Sequence, residues 1–338
     1  MTATPQAEDA GQGTRLLRRC AAAGVALLYA VIVTSAYVRL AQAGLGCADW
    51  PACYGAQIAV PAAGGEPSLL FTVIARRLAA AAAGFVVIAI VVAHFGTKHR
   101  QAGSTPVVGA LAALTIFLAL LGRVTTAAPL PVVTLGNLLG GMLMLGLLAW
   151  LRLSLVAPLG QHRAKWSRCA EFGLVLLAAQ LALGAMVSAH HAAATCATFP
   201  ECHGQWWPSG GDLLLLDPWR VPALHSGAAL AADPARAALH MLHRFGALIV
   251  VIYWAGFAAF AWRSRTPNAA AAALTALVLL MQGIVGAAAV VLQLPLALAV
   301  AHNALAALAV LAAVGAYSYS RSADAASVSA ACQMVTSK

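Results

Sequence analysis

Residues 237–262 read AALHMLHRFGALIVVIYWAGFAAFAW, an almost unbroken apolar run with one arginine and no acid. A helix needs about 20 mostly apolar residues to cross the hydrocarbon of a bilayer. The run is long enough, and its ionisable residues, His240, His243 and Arg244, are gathered in its first third. Working outward, seven further stretches pass the same test: 20–41, 69–95, 106–126, 129–151, 170–191, 268–292 and 294–319. The reading is an all-α integral membrane protein with eight transmembrane helices.

Composition agrees. Of 338 residues, 62% are hydrophobic and 9% charged, which leaves too little polar surface for a water-soluble enzyme. The formal charge of +10 does not point to nucleic acid, because the basic residues sit in short runs between apolar stretches. Lys98, Arg100, Arg152, Arg163, Lys165, Arg168, Arg263 and Arg265 follow the even-numbered spans, and Arg15, Arg18 and Arg19 precede the first. The positive-inside rule then places both termini in the cytoplasm and the loops near 42–68 and 192–236 outside. Arg15–Arg19 before an apolar run also fits a cleaved leader; the repeat described next needs that run as a span. The tails, 1–13 and 322–338, are small and polar, and no structure is expected of them.

The two long outer loops share a phrase: CADWPACYG at 47–55 and CATFPECHG at 196–204. Leu130-Pro131 and Leu294-Pro295 mark equivalent tight turns. The chain therefore divides into two tandem four-helix units, 1–160 and 161–338, expected to form bundles related by a pseudo-twofold axis along the membrane normal. Of seven cysteines, Cys47, Cys53, Cys196 and Cys202 lie in these loops, and the repeated spacing favours Cys47–Cys53 and Cys196–Cys202 disulfides. Such rings can staple loops or exchange electrons with a thiol partner. Zinc at Cys202 and His203 is a third reading. Cys20, Cys169 and Cys332 read as plain thiols.

Ionisable residues within spans are functional candidates. His243 and His302 lie at similar depth on the sixth and eighth spans, a placement that suits either a helix contact or axial ligation of a heme iron between them. Gly246, Ala301, Ala304, Ala306 and Ala307 would give a flat macrocycle room, Arg244 would meet a propionate, and His240 would support the site. His190 and His191 read as solvated caps of the fifth span.

RLAQAGLGCADWPACYG at 39–55, LHRFGAL at 242–248 and LQLPLALAVAHN at 292–303 resemble the heme A synthase family, and the resemblance runs nearly the whole length. It implies a membrane oxidoreductase of cytochrome oxidase assembly, in a bacterial inner membrane, that oxidises a ring methyl of heme O to the formyl group of heme A. It further implies heme b held by His243 and His302 and a porphyrin substrate in the first unit, with heme O synthase and an electron-transfer protein as partners besides the lipid bilayer. The first unit departs from the family: Thr72 and Ala75 stand where a Glu and a His belong, and Gly136, Asn137 or Leu138 where a second His belongs. Arg39, Arg76, Arg77 and Arg123 remain there, of which Arg39, Arg76 and Arg123 are candidate propionate contacts and Arg77 can equally snorkel to headgroups. Two other functions suit these residues, a heme b-binding cytochrome or assembly factor without synthase activity and, from the intramembrane arginines, a carrier.

Overall fold

The computed structural model describes residues 5–45, 67–96, 104–124, 130–156, 165–220, 232–266 and 268–336. Lipid offers no partner to a backbone N–H or C=O, so apolar runs close their hydrogen bonds internally as helices. Among the described residues eight long helices form: α1 (Pro5–Gln42), α2 (Pro67–Gly96), α3 (Ser104–Val124), α4 (Pro131–Ser154), α5 (Lys165–Ala189), α6 (Pro234–Arg263), α7 (Ala269–Val291) and α8 (Leu296–Thr336). All eight are long and apolar enough to cross a membrane. Phe71, Phe85, Leu120 and Ile252 are exposed on their outer surfaces, an arrangement suited to lipid rather than water.

Within residues 5–154, α1 packs on α2 and α4, and α3 on the same two helices. Within residues 165–336, α5 packs on α6 and α8, and α7 on the same two. The halves meet where α8 lies against α1 and α4, and α4 against α5. Close approach there depends on small side chains. Ala307, Ala309, Ala313 and Ala316 of α8 are fully buried, and a Cβ on Gly146 of α4 would stand 3.5 and 3.6 Å from Val310 and Val314. Ala306 and Ala307 are thus filled by helix packing, and the room expected there for a macrocycle is not present.

Both terminal helices outrun their expected ends. The chain is helical from Pro5 and continues to Thr336. Residues 322–331 hold five alanines, the best helix former, and a helix already nucleated by its span adds further turns at little cost.

Local signals set the other ends. Pro131 and Pro234 occupy first-turn positions where their missing N–H leaves nothing unsatisfied. Asp233 caps α6, accepting from the N–H groups of Ala235 and Arg236 at 3.0 and 3.2 Å, and its carboxylate also pairs with the Arg236 guanidinium. The turn from α7 to α8 puts Gln293 and Leu294 at positive φ, costly for side chains, just ahead of Pro295.

Candidate functional site

α6 and α8 bring His243 and His302 together. Their ring centroids are 6.4 Å apart and their planes lie at 74°. Both side chains sit deep in the protein yet keep partly accessible surface. With metal–imidazole bonds of about 2 Å, as in zinc sites, two rings sharing one ion need roughly 6 Å between centroids. The pair therefore has a spacing at which both rings could reach one ion, and a heme iron would fit this donor set.

Each ring rests on a glycine of a neighbouring helix. A Cβ on Gly184 of α5 would stand 3.0 Å from Cε1 of His243, and one on Gly286 of α7 would stand 2.8 Å from Cε1 of His302. Four residues before each glycine lies a glutamine, Gln180 or Gln282. Gln180 Nε2 donates to the His243 backbone carbonyl at 2.9 Å, an acceptor that fixes which end of the amide is nitrogen. The same Nε2 lies 2.9 Å from Nδ1 of His243. Nδ1 of His302 makes no hydrogen bond. These glutamine–glycine pairs were not among the expected site residues, although a glutamine within an apolar span, one helical turn ahead of a glycine, was a legible signal.

Gly246 has another use than the one expected. A Cβ there would lie 2.2 Å from Oε1 of Gln180, so this glycine admits the glutamine rather than a macrocycle.

Arg244 is bound to the loop above the site. Its Nη1 donates to the carbonyls of Thr198, Pro200 and Glu201 at 2.9, 3.1 and 2.9 Å, and Nη2 donates to that of Cys196 at 3.1 Å. The guanidinium also lies 5.6 Å from the Phe199 ring centre. The structure shows it clasping this loop, where a propionate contact was expected. The loop is closed by the expected Cys196–Cys202 disulfide. That bridge removes both thiolates from metal binding, and the His203 ring bonds the Thr195 carbonyl at 2.9 Å, so the zinc reading falls. Cys47 and Cys53 lie outside the described residues.

His240 is buried, its ring against the backbone of Ala192 and its Nδ1 without a partner, and it does not join the His243–His302 ring pair. His190 is fully buried rather than solvated, beneath a turn pinned by the bond from Arg236 Nε to its carbonyl at 2.9 Å. Burial first, then the charge of Arg236, lowers the pKa of His190 and of His191 from 6.5 to about 4. The loop continues to Pro218, whose carbonyl accepts from Val132 N–H at 2.8 Å and so ties the second half's loop to α4.

The first half's arginines differ in burial. Arg77 and Arg123 are exposed and Arg76 is half-buried. Arg39 bonds Asn303 of α8 through Nη2, 3.1 Å from Oδ1. Asp49 and Glu66, the acids expected nearby, lie outside the described residues. Where a ligand histidine is missing, a Cβ on Gly136 would stand 2.9 Å from Leu121 Cδ2, and one on Gly140 would stand 2.7 Å from Leu118 Cδ2. Leucines of α3 thus fill the notches of α4.

A family model described as cytochrome oxidase assembly protein matches residues 18–314. A protein of Shewanella oneidensis named heme A synthase is 31% identical over 301 residues, covering 83% of this chain and 89% of the relative.

Proposed function

Because the chain belongs to the family of cytochrome oxidase assembly proteins, we propose that it is the membrane oxidoreductase of heme A synthesis, with heme O as substrate and heme b as resident cofactor. The observation that carries this reading is the facing pair His243 and His302, 6.4 Å apart in the half whose sequence keeps the family's ligand phrases. Bound heme supplies one-electron transfer there. The protein's own groups would do the rest: His243 and His302 would hold the iron, Gln180 packs beside the His243 ring, and Gly184 and Gly286 give the two rings their places. Arg244 fixes the disulfide loop over that end of the bundle.

The same reading assigns residues 1–160 and 161–338 to tandem pseudo-twofold units in a bacterial inner membrane, both termini cytoplasmic. Heme O synthase supplies the substrate, and an electron-transfer protein takes up the electrons. Arg76 and Arg123 are the substrate contacts proposed for the first unit, while His240 supports the heme b site from its buried position.

A second reading has its own observation. Thr72, Ala75 and the leucine-filled notches at Gly136 and Gly140 leave the first half without carboxylate or imidazole at the family's positions. That favours a heme b-binding assembly factor without synthase activity. Expressing the full chain with a heme O synthase and separating the extracted hemes by chromatography decides between them. Heme A is the expected product; heme b with unconverted heme O supports the second reading, and protein free of heme overturns both.

A further inference from the structure

Arg39 belongs to the first half's RLAQAGLG phrase, where a substrate role is expected, yet its guanidinium crosses to the second half. Nη2 donates to Oδ1 of Asn303 at 3.1 Å, and Asn303 follows His302 in sequence. Nδ2 of Asn303 donates in turn to the Ala299 carbonyl of its own helix at 2.8 Å. We propose that Arg39 is a positioning residue of the second half's heme site, holding the first turns of α8 and through them the plane of the His302 ring. The proposal rests on the reading that His243 and His302 share an iron.

The two imidazoles are held unequally. His243 has Gln180 Nε2 beside its Nδ1, whereas Nδ1 of His302 makes no hydrogen bond. The direction of His302 therefore depends on what α7 offers it, the Gln282 backbone and Gly286, and on where α8 sits. Arg39 acts on that second factor. Its bond to Asn303 is charge-assisted and lies near the end of a span. The Asn303 amide is engaged at both ends, so a pull on its oxygen reaches the Ala299 turn as well.

Apolar packing runs beside the bond. Leu40 and Leu45, which follow Arg39 in the chain, are buried against Leu294, Leu296, Ala299 and Val300. The same turns of α8 are thus gripped by packing and by charge. The charge of Arg39 also bears on His191 at the end of α5, which places it on the histidine side of the boundary between halves.

The test uses the purified full chain. Heme per chain, the ferric low-spin electron paramagnetic resonance signal and the midpoint potential are measured for wild type, Arg39→Met, Arg39→Lys and Asn303→Leu. Arg39→Met is expected to keep most of its heme, shift the low-spin signal and lower the potential, since a cation near the iron favours the ferrous form. Arg39→Lys should restore the potential more fully than the signal. Asn303→Leu cuts the same bond while leaving the guanidinium, and it should shift the signal even if Arg39→Met does not accumulate. An Asn303→Leu signal identical to wild type overturns the proposal, as does an Arg39→Met effect confined to retention of added heme O. A wild-type protein without low-spin heme overturns the underlying heme reading instead.

Discussion

In the second half, His243 and His302 each lay a ring edge on a glycine of a neighbouring helix, Gly184 or Gly286. In the first half, α3 and α4 make a similar approach with Leu118 on Gly140 and Leu121 on Gly136. A glycine in a helix leaves a notch a side chain wide, and the occupant decides what the seam can do. An imidazole brings a nitrogen with a lone pair to the gap between helices. An isobutyl group seals the gap and contributes only packing. The two halves thus differ less in architecture than in what enters the notches.

Removing an occupant tests the comparison most severely. His243→Ala and His302→Ala should each abolish the low-spin bis-imidazole absorption of the purified protein, measured in the reduced spectrum. Thr72→Val in the first half should leave that spectrum unchanged, because position 72 does not contact the pair. Equal losses from both halves would erase the distinction between them.

Filling a notch is the next largest change. Gly286→Leu drives a side chain to where a Cβ already stands 2.8 Å from His302. A several-fold loss of bound heme is expected, read as heme per chain by pyridine hemochrome. Gly136→Ala meets the movable end of Leu121, and there the helix propensity gained from alanine offsets the crowding. Its stability should stay within about 1 kcal/mol of wild type, with heme content intact.

Opening the loop comes third. Cys196→Ser releases the ring of residues between Cys196 and Cys202, for which chain entropy gives about 2 kcal/mol. Thermal unfolding should shift downward, and Cys202 should become labelled by a maleimide. The heme spectrum should persist, since Arg244 binds carbonyls of this loop rather than its sulfurs. A spectrum lost along with the bridge would make the loop part of the site.

The eight spans were legible because length and composition alone define a membrane helix, and the histidine pair because titratable groups are rare in such helices. Helix rotation was harder to read. A helix apolar on every side has no stripe to show which face meets which neighbour. Hence Gly246 and Ala307 were expected to face a macrocycle, whereas they face Gln180 and the packed core. Contacts distant in sequence were equally hidden: nothing near Arg39 announces Asn303, and nothing near Arg244 announces four loop carbonyls. Gln180 and Gln282 were visible as polar residues in spans, and only the partners of Gln180 required coordinates.

The smallest predicted effect is a slope with pH, and it belongs to one half. His190 and His191 end α5 at the histidine side of the second half, and burial with the nearby Arg236 charge lowers both pKa values to about 4. In the unfolded chain an imidazole takes its proton near 6.5. Between pH 6.5 and 4 the unfolded state therefore holds protons that the folded state refuses, and acid favours unfolding. Stability from this source is complete above about 6.5, declines as pH falls toward 4, and levels off below. Thermal midpoints measured across this range should decline for wild type and flatten for His190→Gln, which keeps polarity without the titration. An undiminished slope in that variant would move the acid sensitivity out of the α5 corner and dissolve this part of the contrast between the halves.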